Sequence, residues 1–360
     1  MNKKVLIIGG GNIGTDFACE FAAKGYEVNV YTSQPEKYKG KLQIVDGQGR
    51  VVTQGTIALA THDLQKAMEG CSVIFVIVPA FLLEQTAQNM LPFVLPGTCI
   101  GVIPGSGGAE FAFAECIRKG AVLFGLQRVP GIARLVEYGK SVCVEGRKKE
   151  LFLGSIPKEK GPELCRLMEE VFEIPCTQVP NYLNITLTPS NPILHTTRLC
   201  TMFRDYREGK VYDRNPLFYG EWSMESSELL LACDEELQDM IRALKPLDLS
   251  MVKSLKDHYE SRNAQQLTDK ISSIPSLHPL TSPMKEVEGG WVPDFDSRYF
   301  TADFPYGLSI LIELAGVLGV PVPHMEETMD WYRSVTGRKD SYDLSKAGIH
   351  TAEDVYRYYS

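Results

Sequence analysis

The sequence predicts an α/β domain built around a parallel sheet, followed by an all-α domain, and three observations carry that prediction. The chain opens on a glycine-interrupted turn from strand to helix, Val5-Leu6-Ile7-Ile8-Gly9-Gly10-Gly11-Asn12-Ile13-Gly14. Apolar runs then alternate with helical patterns as far as Val179-Pro180-Asn181. Beyond that point the patterned segments are nearly all of helical period. A chain of 360 residues exceeds what one hydrophobic core usually organises, and the change of pattern places the expected domains at 1–181 and 182–360.

The first unit is a strand, a tight turn and a helix. Val5 to Ile8 are four consecutive apolar residues, as in a buried strand, and Ile13, Phe17, Ala18, Phe21 and Ala22 follow at helical spacing. Gly9-x-Gly11-x-x-Gly14 therefore spans the turn. Gly9 permits it, Gly11 lets backbone approach a pyrophosphate, and Gly14 lets the helix lie close to the strand. With a second strand at Tyr26 to Tyr31 closing a βαβ unit, the pattern is Rossmann-like and points to a dinucleotide. Its pyrophosphate would face the helix N-terminus at Gly9, Gly11, Asn12, Ile13 and Gly14.

The second strand decides the cofactor type. In NAD-binding folds it commonly ends in an acid that takes the ribose 2′-OH, whereas here it ends in Tyr31-Thr32-Ser33-Gln34 with no carboxylate before Glu36. The hydroxyls of Thr32 and Ser33, with Lys37, Lys39 and Lys41 beyond, can receive a 2′-phosphate, so the sequence leans towards NADP over NAD.

Residues 42–60 alternate around Asp46-Gly47-Gln48-Gly49, which reads as an inserted hairpin. Cys71 to Val78 is a nearly unbroken apolar run, expected of a central parallel strand. Pro79, at its carboxyl end, belongs on the ligand edge. Thr98 to Ile103 leads into a second glycine-rich turn, Pro104-Gly105-Ser106-Gly107-Gly108, on the same edge. Further strands are expected at 121–126, 141–145 and 151–154, with a helix at 162–172. The second half carries expected helices at 191–208, 223–244, 249–261, 264–272, 305–318, 324–335 and 351–359. The last opens on Thr351-x-x-Asp354, close to a capping box. Between them, 274–298 is a proline-rich loop that could cover a substrate.

Composition excludes several classes of function. At 44% hydrophobic and 23% charged residues the chain has an ordinary soluble composition, and a net charge of −8 gives no support to nucleic-acid or anionic-membrane binding. Nine cysteines without a C-x-x-C pair, placed mostly in apolar runs such as those of Cys71, Cys99 and Cys143, read as reduced thiols. The first strand begins by Val5 and leaves no room for a signal peptide, and no apolar run reaches transmembrane length, so the expected location is cytoplasmic. The six histidines make no ligand-spaced metal cluster.

Two segments of the helical half carry chemistry. In Thr188-Pro189-Ser190-Asn191-Pro192-Ile193-Leu194-His195, Ser190 or Asn191 suits an N-cap and Pro192 the first turn, which puts His195 early in a helix. In Asp296-Ser297-Arg298-Tyr299-Phe300-Thr301-Ala302-Asp303-Phe304, a guanidinium and a carboxylate lie five positions apart ahead of another helix. Hydride chemistry on a 2-oxo acid or its imine calls for both kinds of group. An arginine fork fixes the substrate carboxylate. A histidine supplies the acid near neutral pH, and a carboxylate on its other ring nitrogen sets the tautomer.

At this point the sequence resembles the octopine/nopaline (opine) dehydrogenase family. The resemblance runs through the Gly9 to Gly14 turn, Pro104 to Gly108, Gln127-Arg128-Val129-Pro130-Gly131-Ile132-Ala133-Arg134, Asn191-Pro192-Ile193-Leu194-His195 and Arg298 to Leu308. It implies a nucleotide domain joined to a helical domain, the 6-phosphogluconate-dehydrogenase-like arrangement. It also implies an enzyme that joins an amino acid reductively to a 2-oxo acid with NADH or NADPH. Carried over by residue, it makes His195 the acid/base, Asp303 its carboxylate partner, Arg298 the anchor of the oxo-acid carboxylate and Asn191 a polar neighbour of the site. The family often has an acid immediately before Asp303, where this chain has Ala302. The partners implied are the two small molecules, and pairing as a homodimer stays open.

Two other readings compete. A glycerol-3-phosphate or ketopantoate type of dehydrogenase usually works through a lysine in the helical half, but no lysine lies between Lys160 and Lys210. A non-catalytic NADP-binding sensor gives no reason for His195, Arg298 and Asp303 to occur together.

Overall fold

In a computed structural model of the protein, residues 3–188 and 191–360 are described; the candidate cap Ser190 lies outside them. The chain divides into two units, Met1–Thr186 and Leu187–Ser360.

The first unit begins β1 (Lys4–Ile8), α1 (Asn12–Ala23), β2 (Glu27–Tyr31), β3 (Lys41–Val45), β4 (Val51–Thr56) and β5 (Leu59–Thr61). It continues through α2 (Leu64–Met68), β6 (Val73–Val76), α3 (Leu83–Met90), β7 (Cys99–Val102), α4 (Ala109–Ala112), α5 (Ala114–Arg118) and β8 (Val122–Leu126). It closes with β9 (Ile132–Glu137), β10 (Ser141–Glu145), β11 (Leu151–Ile156), α6 (Gly161–Phe172), β12 (Cys176–Gln178) and α7 (Leu183–Thr186).

Its main sheet has the spatial order β5-β2-β1-β6-β7-β8-β11-β12. All pairs from β5 to β8 are parallel, whereas β11 pairs antiparallel to β8 and β12 runs parallel to β11. The chain builds outward from β1 in one direction through β2 and β5, then returns to build the other way from β6. That reversal between β1 and β6 is the switch point where ligands of open parallel sheets bind. The core beneath it is aromatic: Phe17 of α1 lies 5.2 Å from Phe75 and 4.7 Å from Phe172 of α6, ring centre to ring centre.

The expected hairpin at 42–60 is β3 paired with β4, but it belongs to a second sheet of order β4-β3-β10-β9. β10 was expected as a strand, yet it joins β3 in this smaller sheet and not the main one. β9, and the short β5 that completes the parallel set, have no counterpart in the sequence reading.

The second unit contains α8 (Asn191–Met202), α9 (Met224–Ala243), α10 (Leu255–His258), α11 (Ala264–Ser272), β13 (Met284–Val287) and β14 (Gly290–Pro293). After these come α12 (Arg298–Thr301), α13 (Ser309–Leu318), α14 (Pro323–Thr336) and α15 (Ala352–Tyr359), with a π-turn at Phe304–Leu308 joining α12 to α13. Caps define the starts: Ser223 accepts from the Ser226 amide, Asn263 from that of Gln266, and Thr351 with Asp354 completes a capping box.

The differences from expectation have local causes. α8 stops at Met202 because the following residues turn, with Asp205 held by Lys210 and by the Tyr212 hydroxyl. The helix expected over 249–261 shrinks to α10, whose cap is Ser254. The supposed loop 274–298 contains the β13–β14 hairpin, and Tyr212 and Trp291 exchange backbone hydrogen bonds of 2.8 Å with each other. The second unit is thus helical with one hairpin added. The helical run Arg298–Leu318 is also long and apolar enough to cross a membrane by length and composition, contrary to the sequence expectation. Half of that stretch is buried within the fold, as in a core helix.

Candidate active site

The glycine turn fits a bound pyrophosphate. Gly9 has φ +110°, and a Cβ there would stand 2.2 Å from the Ile77 carbonyl oxygen, so the turn lies against the end of β6 just before Pro79. A Cβ on Gly14 would stand 1.8 Å from the Gly9 carbonyl oxygen, whereas one on Gly11 would meet nothing within 4 Å. Gly11 caps α1 without a side-chain hydrogen bond, and the first turn carries no acid. The amides at the start of α1 thus point, with the positive end of the helix dipole, at space left open by Gly11. Asn12 is used structurally, since its Oδ1 accepts from the Leu135 amide of β9 at 2.8 Å. Ile13 is part-buried at the helix start.

The end of β2 differs from the sequence expectation in two details. Thr32 is buried and shares a 2.6 Å hydrogen bond with the Tyr138 hydroxyl, while its Oγ1 also accepts from the Gln34 amide. Its hydroxyl is engaged, and the exposed one is that of Ser33. Lys37 lies over the Tyr138 ring at 5.5 Å. Lys41 opens β3 and shares a surface hollow with Ala23, Gly25 and Glu27, at the far end of β2 from Thr32. The second glycine turn is a packing device at Gly105, where a Cβ would collide with Gly125 of β8.

In the helical unit the structure brings His195 and Asp303 together. The Nδ1 of His195 lies 2.8 Å from Asp303 Oδ2, and both side chains are largely buried. The π-turn sets this geometry: the Leu308 amide bonds to the Asp303 carbonyl five residues back, at 2.8 Å. Gly307 lets the turn lie against Pro192 of α8, since a Cβ there would stand 3.0 Å from the proline ring. A π-turn at such a place is a familiar mark of a functional site. Because the carboxylate accepts, Nδ1 carries the hydrogen and Nε2 is the basic nitrogen.

That nitrogen already has a partner. The hydroxyl of Tyr219 lies 2.7 Å from Nε2, in the donating role once Nδ1 carries the ring hydrogen. The Tyr299 ring sits 4.5 Å from the imidazole centre and Phe218 5.5 Å, forming an aromatic box. Burial pushes the Tyr219 phenol well above its ordinary range, so it stays protonated. One turn along α8, the buried Arg198 donates to the carbonyls of Phe218 (3.0 Å) and Glu221 (2.7 Å), and thereby fixes the Tyr219 turn. Burial brings its guanidinium down to about 10.

Sequence reasoning missed Tyr219, Tyr299 and Arg198. The one available signal was the aromatic clustering in Phe218-Tyr219-Gly220-Glu221-Trp222. Arg298 is exposed at the start of α12, and the described residues offer its guanidinium no carboxylate. Asn191 is the exposed first residue of α8, one helical turn before His195.

The family model for the α-helical domain of NAD/NADP octopine/nopaline dehydrogenases matches residues 178–336, and that for ketopantoate reductase PanE/ApbA matches 5–149. The opine dehydrogenase of Haliotis discus hannai is 29% identical, over 94% of this chain and 92% of its own. The octopine dehydrogenase of Mizuhopecten yessoensis is 27% identical over 99% and 94%. Residues 178–336 resemble the octopine/nopaline dehydrogenase helical domain, and the likeness to opine and octopine dehydrogenases runs along nearly the whole chain.

These similarities support an NAD(P)-dependent oxidoreductase acting on CH–NH groups. A solved octopine dehydrogenase with NADH and L-arginine superposes with a TM-score of 0.85 at 25% identity, over 98% of this chain and 97% of that one. Yersinopine dehydrogenase with NADP+ shares the fold, with a TM-score of 0.68 at 13% identity, covering 99% of this chain and 100% of that one. The ketopantoate-type match ends at residue 149 and leaves out the helical unit, where the octopine model takes in both His195 and Asp303.

Proposed function

We propose that this chain condenses an amino acid with a 2-oxo acid and reduces the product with NADPH in preference to NADH. The observation that carries the reading is the 2.8 Å His195–Asp303 pair, within the segment matched by the octopine dehydrogenase helical domain. His195 is the acid/base. Asp303 fixes its tautomer and stabilises the imidazolium. Arg298, exposed and offered no carboxylate by the described residues, anchors the carboxylate of the oxo acid, and Asn191 is a polar neighbour of the site.

The amino group adds to the oxo carbon to give a carbinolamine, and proton donation from the His195 side of the pocket releases water and leaves an iminium. The glycine turn and the N-terminus of α1 would hold the dinucleotide through its pyrophosphate, and the reduced cofactor, when bound, would supply the hydride for the C=N bond. The octopine dehydrogenase solved with L-arginine or pyruvate supports this substrate class. The preference for NADPH rests on the missing carboxylate after β2, the exposed Ser33 and the cation of Lys37.

The test is a screen of NADPH and NADH oxidation over amino acids crossed with pyruvate, glyoxylate and 2-oxoglutarate. Oxidation that requires both an amino acid and an oxo acid is the expected result. Oxidation with an oxo acid alone would replace condensation by simple ketone reduction, and a strong NADH preference would remove the cofactor assignment.

A further inference from the structure

An acid must lie within hydrogen-bond reach of the atom that takes its proton, yet neither ring nitrogen of His195 is available. Nδ1 is bonded to Asp303 at 2.8 Å and Nε2 to the Tyr219 hydroxyl at 2.7 Å. For the imidazole to act directly, Tyr219 would have to leave. Everything around it opposes that. Arg198 holds the carbonyls on either side of it, and the Phe218 amide donates to the Leu280 carbonyl at 2.7 Å. The Glu221 carboxylate accepts from the Leu217 amide at 2.8 Å and pairs with Arg214. The Tyr219 ring itself stacks on Trp222, 6.2 Å centre to centre and 13° from parallel.

We propose that the Tyr219 hydroxyl, and not the imidazole, delivers the proton to the substrate oxygen, with His195 behind it as the proton store. This rests on the reading of His195 as the acid/base group. The phenol O–H bond breaks and its proton joins the carbinolamine oxygen, the carbon–oxygen bond breaks, and the nitrogen lone pair forms the C=N bond. In the same movement the imidazolium Nε2–H proton passes to the tyrosine oxygen. His195 ends neutral, Tyr219 ends unchanged, water departs, and the positive charge resides on the iminium. A phenol so strongly held in its protonated form suits a relay, because it never has to exist as a phenolate.

The experiment compares Tyr219→Phe, His195→Ala and the double variant, using the substrate pair with the highest rate. Tyr219→Phe is expected to lower kcat by about a hundredfold or more, the usual scale of acid catalysis. KM for both substrates should stay within roughly threefold, and the double variant should be no slower than the slower single one, because the two groups act as a unit. If Tyr219→Phe keeps kcat within about threefold while His195→Ala is inactive, the relay is wrong and the imidazole acts directly. If His195→Ala itself stays active, the underlying acid/base reading fails instead. A proton inventory in mixed light and heavy water needs no substitution. A curved dependence of kcat, from two protons in flight, supports the relay, and a linear or flat one overturns it.

Discussion

Substituting alanine at Gly11 and at Gly14 separates the binding role of the glycine turn from its folding role. At Gly11 the backbone is extended, φ −79° and ψ −162°, which alanine adopts freely, and a Cβ meets no atom within 4 Å. The substitution trades reduced freedom of the unfolded chain, ~0.4–1 kcal/mol in favour of alanine, against a somewhat poorer cap. Net stability should change by less than about 1 kcal/mol, or about 4 °C in Tm for a unit of this size. The same methyl would enter the open space at Gly11 where the proposed pyrophosphate site lies. Each hydrogen bond to a charged group is worth ~1.5–3 kcal/mol, so loss of one phosphate contact weakens binding by roughly tenfold to a hundredfold.

At Gly14 the methyl has no room, being 1.8 Å from the oxygen and 2.9 Å from the carbon of the Gly9 carbonyl, both backbone atoms that cannot rotate aside. That overpacking costs ~1–3 kcal/mol or more, so Gly14→Ala should melt lower by about 3–10 °C and bind weakly as well. Thermal melts with fluorescence titrations of NADPH and NADH read both quantities. A folded Gly11→Ala protein that binds both cofactors as tightly as the parent would refute the placement of the pyrophosphate.

The remaining predictions concern the helical unit and a buried charge cluster. Asp303→Asn removes the charged acceptor from Nδ1 and should lower kcat by roughly tenfold to a hundredfold with little change in cofactor affinity; an unchanged kcat in steady-state assays would contradict the dyad. Arg298→Lys keeps the charge but loses the bidentate fork, so KM for the oxo acid should rise while KM for the amino acid holds; equal effects on both would show that Arg298 does not discriminate them. Burial, opposed by Arg147, pushes the Glu20 carboxyl up to about 7. Because this lies above the unfolded value, the folded state holds the proton more tightly, and the group's stabilisation is full below about pH 4.5 and lost as pH rises through about 7. Relative to the parent, Glu20→Gln should therefore gain stability from pH 5 to pH 7.5, by about 3 kcal/mol at most; a difference in Tm that stays flat across that range would overturn this.

The sheet and the glycine turn were legible because their signals are local. Val5 to Ile8 and Val73 to Val76 are short runs of apolar residues, and the three fingerprint glycines fall within six positions of one strand-to-helix turn, with Gly14 lying against Gly9. The three-residue β5 is too short to show an alternation. β9 depends on pairing with β10 and on the Asn12 side chain, which no pattern within residues 132–137 records. His195 and Asp303 could be paired across 108 positions only through the family resemblance, since the π-turn and the contact of Gly307 with Pro192 that join them are tertiary. Tyr219 lies in a stretch without periodicity, 24 positions from its partner. Its role emerges only when Arg198, on the same helix as His195, is seen to hold its turn.

The most direct test of the whole account is the effect of His195→Ala on binding and turnover measured side by side. Cofactor affinity should stay close to that of the parent, while turnover with the best amino acid and oxo acid falls by roughly two to four orders of magnitude. A variant that still turns over at a rate near the parent's would remove His195 from the chemistry, and with it the proposed roles of Asp303 and Tyr219.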